Sequence, residues 1–271
     1  MPGEISRHGF GQVDLKFRDG SERSMTFFVS RLEYSRFTIA SIVPDQGLET
    51  CVRTLVAHSR SFGGIPLLAA FDRARPIGVG SDKDGRVLEW DPAFAYAALQ
   101  IGLGVEVRAR RGADRGPGTN LGNWLKLAFF KDAAFVDEAD AARQLAIWLR
   151  EQNDAPQSDA GGKSPAVLLA EERQRLRPLK IDPQELALRF PVLVGVRGAV
   201  MHDGQAYAMP PESAGLSGAL YLYPDRIAIV VGRYESTHPR HPALRLLDSV
   251  APSSSAAWAA SAAVPLAARA G

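Results

Sequence analysis

The stretch from Gly11 to Pro44 limits the possible folds more than any other part of the chain. Val13, Leu15 and Phe17 alternate with Asp14, Lys16 and Arg18, a Gly-containing turn comes next at Asp19–Ser21, and β-rich runs lie at Met25–Val29 and Phe37–Ile42. The pattern predicts a three-strand antiparallel meander. Asp14 falls in the middle of the first strand, on the face opposite its apolar neighbours. It must meet water, a cation or a partner there, because an unpaired carboxylate is costly to bury.

The next hundred residues extend the meander into an α/β protein. Leu48, Val52, Leu55 and Val56 recur at helical spacing in Asp45–Ser61, with Asp45 as the expected cap. Phe62–Pro66 stops that helix, and Leu67–Phe71 is a short apolar run of the kind a buried strand shows. Asp72 stands at its C-terminal end, where ligands gather in parallel sheets. After an irregular excursion with a turn at Asp82–Arg86, Asp91-Pro92 starts a helix to Gln100, and Val105 and Val107 mark another strand. Ala109–Asn123 is rich in Gly and Arg and reads as a loop; helices are expected at Trp124–Phe130 and Glu138–Gln152.

Gln152–Pro165 is polar and reads as a flexible linker, with a charged helix after it at Ala166–Leu176. From Val192 short strands alternate with turns, including the Asp-Gly pair of His202–Gln205, and suggest a small barrel. The resulting division is an α/β core at 8–152, a linker and short helix at 153–184, a β-barrel at 185–242, and a tail at 243–271 expected to be disordered.

Composition narrows the function classes. With 32 basic and 30 acidic residues the net charge is +2, so affinity for nucleic acid must come from local clustering. The single Cys51 excludes an internal disulfide and a Cys-rich zinc site. No apolar run is long enough for a membrane helix and the start lacks a secretion signal, which predicts a cytoplasmic protein without a membrane partner. His238 and His241 lack further zinc ligands at suitable spacing, and Arg111–Gly118 lacks the Gly-Lys-Ser/Thr ending of a phosphate loop. Trp90, Trp124 and Trp148 read as packing residues.

The ordered series of segments GQVDLKF, FGGIPLLAAFDRARPI, WDPAFAYAALQIGLGVEV, RGPGTNLGNWLKLAFF, KSPAVLLAEERQRLRPL and GVRGAVMHDGQAYAMPPESAG, ending with THPR, resembles IstA-type insertion-sequence transposases over about residues 10–242. The resemblance implies a ribonuclease H-like, retroviral integrase-like core and a small all-β barrel behind it. It also implies two divalent cations, Mg²⁺ or Mn²⁺, held by three acids. Asp14 and Asp72 fall at the first and second of these metal and catalytic positions, and Thr119 at the third. A threonine hydroxyl brings no charge and cannot replace a bridging glutamate. Asp114, in the same loop, is a possible substitute that the register of the helix start argues against. The chain also begins without the helix-turn-helix modules of the family. Arg108, Arg110, Arg111, Arg115 and Lys126 are the candidate DNA-backbone contacts. The partners implied are DNA, an AAA+ helper ATPase and further copies of the chain. Two readings are open: a catalytically inactive transposase derivative that binds DNA or serves assembly, which the threonine favours, and an active DNA strand-transferase or nuclease using Asp14, Asp72 and an unidentified third acid.

Overall fold

A computed structural model describes residues 1–82, 87–108, 120–131, 133–158 and 161–240. The central sheet is built from β1 (Ile5–Lys16), β2 (Glu22–Leu32), β3 (Thr38–Val43), β4 (Leu68–Phe71) and β7 (Gly104–Val107), in the order β3-β2-β1-β4-β7. β1, β2 and β3 form the expected antiparallel meander, while β1, β4 and β7 run parallel. The helix α1 (Leu48–Phe62) connects β3 to β4. A hairpin of β5 (Gly78–Ser81) and β6 (Val87–Trp90), then α2 (Pro92–Ile101), connect β4 to β7. This strand order is that of a ribonuclease H-like sheet.

The two faces are covered separately. On one, α1 and α2 pack Val52, Leu55, Phe94 and Ile101 against Phe28, Ala69 and Phe71. On the other, α3 (Leu121–Leu125), a wider π-type turn (Lys126–Phe130) and α4 (Glu138–Asp154) pack Leu121, Leu125, Phe130, Leu145 and Leu149 against Val13, Leu15, Phe27 and Val29. The helix expected from Trp124 thus starts three residues earlier, capped by the Asn120 side chain. Asp45 is not the cap of α1: Gly47 holds that position, and the Asp45 carboxylate accepts the Gly47 N–H instead.

The last turn of α4 and the helix that follows the polar segment are each fastened to the core. Asn153 is buried and bonds both backbone groups of Thr38 on the edge strand β3, at 2.9 and 2.8 Å. Beyond it, α5 (Pro165–Glu172) places the fully buried Glu172 where its carboxylate accepts the N–H groups of Gly3 and Ser35. A four-stranded sheet, β13-β12-β11-β8, and the hairpin β9 (Ala199–His202) and β10 (Gln205–Ala208) make the β-rich part; its strands are β8 (Leu188–Leu193), β11 (Ser217–Leu222), β12 (Arg226–Val231) and β13 (Tyr234–Pro239). Its Leu188, Leu220 and Ile229 share a core with α1 and α2. Arg53 of α1 donates to the carbonyls of Leu186 and Leu222, and Arg240 forms a two-pronged pair with Glu49 at 2.8 and 3.1 Å. The tail at 243–271 lies outside the described residues.

A polar thread crosses the α1 side of the sheet. Ser6, His8, Ser30, His58 and Ser41 form a continuous hydrogen-bonded chain, with steps of 2.6, 2.8, 2.7 and 2.9 Å. Ser30 lies between the two imidazoles and can donate to one while accepting from the other, so both rings are satisfied as neutral bases. Burial pulls His8 down to about 3, with the nearby His58 adding to the effect, and burial alone pulls His58 to about 3. In the unfolded chain each ring takes up a proton near its ordinary value. The stability that these rings contribute is therefore complete above about pH 6.5 and is lost as the pH falls toward 3. Each should remove about 1.4 kcal/mol per pH unit in that window, so the urea midpoint should fall clearly between pH 7 and pH 5. An unchanged midpoint would mean that the folded protein accommodates charged imidazoles.

Candidate functional site

The parallel pairing of β1 with β4 decides what stands beside Asp72. Ile5 to His8 match Leu68 to Phe71, so the next residue of β1, Gly9, lies next to Asp72. A Cβ on Gly9 would come within 2.8 Å of Asp72 Oδ2. Both oxygens of that carboxylate have protein donors. Oδ1 accepts from the Arg7 guanidinium at 3.1 Å, and Oδ2 accepts the Leu121 N–H, in the first turn of α3, at 2.8 Å. The Asp72 side chain keeps only 8% of its exposure.

The helix reaches so close to the strand because glycines face each other. A Cβ on Gly11 would lie 3.1 Å from the Gly122 Cα and run into the Phe27 ring, and one on Gly122 would run into the Phe10 carbonyl oxygen. Side chains are therefore excluded where α3 crosses β1.

Asp14 is not part of this group. It lies five residues beyond Gly9, about 17 Å further along a strand rising ~3.3 Å per residue, and alternation turns its side chain to the other face. It pairs with Ser24 in the part of β1 that extends past β4, and it is exposed. Thr119, Asp114, Arg110, Arg111 and Arg115 lie outside the described residues. Among the described residues, no three or more His, Cys, Asp or Glu side chains are grouped to hold a metal ion.

What the sheet does gather at Asp72 is arginine. Arg7 lies directly across from Arg31 of β2, and both point to the α3 side. Arg7 bonds Asp72 and lies 3.7 Å from Glu33; Glu33 in turn pairs with Arg108, at the end of β7, at 3.1 Å. Arg31 lies 4.0 Å above the Trp124 ring and donates from Nε to Thr38 Oγ1 at 2.9 Å. Burial, with the charges of Arg7 and Arg36, draws Arg31 down to about 10, against the opposing pull of Glu33 and Asp72. Of the expected basic contacts, Arg108 joins this cluster, and Lys126 is exposed just after α3. Arg7 and Arg31 were legible only as charged residues, since nothing in the sequence pairs them.

The strand order, the crossing helix and the β-rich region behind them define the class: a ribonuclease H-like, integrase-type core with a small β module. More particularly, the chain is similar to an insertion-sequence transposase. It is 25% identical over 233 residues to a Geobacillus stearothermophilus protein described as "Putative transposase for insertion sequence element IS5376", a match covering 82% of this chain and 57% of that protein. The chain thus spans little more than half the length of that relative. No protein-family model matches it. Solved structures with a similar course include a simian T-cell lymphotropic virus intasome bound to a PP2A regulatory subunit, at TM-score 0.44 and 13% identity over 88% of this chain and 77% of that one. Another is the HTLV-2 integrase catalytic core in complex with magnesium, at TM-score 0.39 and 14% identity over 62% of this chain and 96% of that one. Among the described residues, no helix is long and apolar enough to cross a membrane.

The bonding of Asp72 predicts a structural role for its carboxylate. Asp72→Ala leaves the Arg7 guanidinium without this partner and the first turn of α3 without its acceptor, and should cost about 2–4 kcal/mol in denaturant unfolding. A loss below about 0.5 kcal/mol, the range of an ordinary surface change, would remove that role.

Proposed function

We propose that this chain is a catalytically inactive derivative of an insertion-sequence transposase, working as a DNA-binding or assembly module. The observation that carries this reading is Gly9 beside Asp72. In a sheet of this order, strand-paired acids at these two positions would share a metal, and one of them here is a residue without a side chain. The residues around Asp72 do not fit Mg²⁺ or Mn²⁺, which need several hard oxygen ligands in near-octahedral array. Among the described residues, Asp72 is the acid at this position; both of its oxygens have donors, and a guanidinium stands against it.

DNA is the proposed partner through its backbone phosphates. Arg108 and Lys126 on the described surface, with Arg110, Arg111 and Arg115 of the neighbouring segment, supply the charge. Self-association and contact with an AAA+ helper ATPase remain part of the same proposal, by analogy with transposases. The second reading, an active strand-transferase, requires acids supplied from outside the described residues to act with Asp72.

Calorimetric titration of Mg²⁺ and Mn²⁺ into the wild type and Asp14→Asn tests the choice. The expected result is no binding heat for either, no metal-dependent cleavage, and DNA binding that weakens steeply as salt rises. Metal-dependent cleavage would establish the active reading; its loss in Asp72→Asn would make Asp72 a ligand, and its loss in Asp14→Asn would overturn the separation of Asp14 from the site. DNA binding independent of salt, or absent, would remove the DNA part.

A further inference from the structure

We propose that the arginine cluster on the α3 side of the sheet is a binding site for a phosphodiester group of DNA, with Arg31 as its central contact; this rests on the DNA-binding reading above and gives it a location. The geometry has three parts. Arg7 and Arg31 are directly opposed on β1 and β2, on one face, where like charges destabilise a strand pair. Arg36 comes next in the turn between β2 and β3, in the left-handed region at φ 60°, which a bulky side chain rarely adopts and which marks a constrained turn. A third guanidinium is thereby held in the field of Arg31.

The nearby carboxylates are directed elsewhere. Asp72 bonds Arg7 and the start of α3, and Glu33 pairs with Arg7 and Arg108. Among the described residues, no carboxylate lies within ion-pair distance of Arg31; its contacts are the Trp124 face and the Thr38 hydroxyl. Among the described residues only its Nε is engaged by a hydrogen bond, which leaves the two terminal amino groups as a planar fork for an oxyanion. The Trp124 ring holds that fork in place and lowers the entropy lost on binding. Asp72 and Arg108, at the C-terminal ends of the parallel strands β4 and β7, bound the cluster on the usual ligand side of such a sheet, with Arg7 and Arg31 level with Ala70 of β4. A guanidinium array can neutralise a phosphate without a metal ion.

The test uses the full chain, a short labelled DNA duplex and inorganic phosphate. Arg31→Met should weaken duplex binding roughly tenfold and reduce the slope of log affinity against log salt by about one. Without DNA its melting temperature should equal or exceed that of the wild type, since a cross-strand repulsion is removed. Phosphate should raise the melting temperature of the wild type and not of the variant. A lower melting temperature with unchanged DNA affinity would overturn the proposal and leave Arg31 as a packing residue on Trp124. Should Arg31→Met not fold, Arg31→Lys keeps the charge without the fork and should bind several-fold more weakly; equal binding overturns the site. If the wild type binds no DNA, the DNA reading itself fails. Binding that is intact in every Arg31 variant removes only this location.

Discussion

The register between β1 and β4 is the constraint on which the rest depends. β1 pairs with β2 along nearly all its length but with β4 over only four residues, at its N-terminal end. That end is central in the sheet and covered on both faces, whereas the other end projects with β2 as a ribbon covered on one face by Phe130, Phe135 and α4. Everything gathered at Asp72 belongs to the central half. Asp14 belongs to the ribbon.

On either side of that central half the sheet handles polarity differently. Toward α1, His8 and His58 are neutral links in a closed chain of hydroxyls and imidazoles, and burial keeps them uncharged. Toward α3, charge is kept and balanced: Arg7 against Asp72, Arg108 against Glu33, Arg31 against an aromatic face. One strand carries both arrangements at alternate positions, Arg7 facing one side and His8 the other. The β module adds a third attachment through Arg53 and Arg240, so core and β module share apolar packing, carbonyl hydrogen bonds and the Arg240–Glu49 ion pair.

The same asymmetry explains how much the sequence reveals. The meander was legible because Val13, Leu15 and Phe17 alternate with polar residues, and alternation arises where one face meets water. Ile5–Phe10 gives no such signal, since both of its faces are largely covered, so the half of β1 beside Asp72 was silent and its visible half drew attention to Asp14. Asp72 could be found because a short apolar run ends at it. α2 was legible from Asp91-Pro92, and the cap is there as expected. The hairpin of β5 and β6, and the meeting of Arg7 with Arg31, depend on pairings between distant segments that no local pattern encodes. Integrase-like architecture was available from the order of segments; which residue stands opposite Asp72 required the register.

The approach of Gly9 to Asp72 has a further consequence for what β1 can carry. A Cβ at position 9 would come within 2.8 Å of Asp72 Oδ2, so a side chain there would press on the carboxylate that accepts the Leu121 N–H at the start of α3. The bareness of the strand at this point is therefore part of what anchors the helix: a side chain gained on β1 puts at risk a hydrogen bond that starts α3.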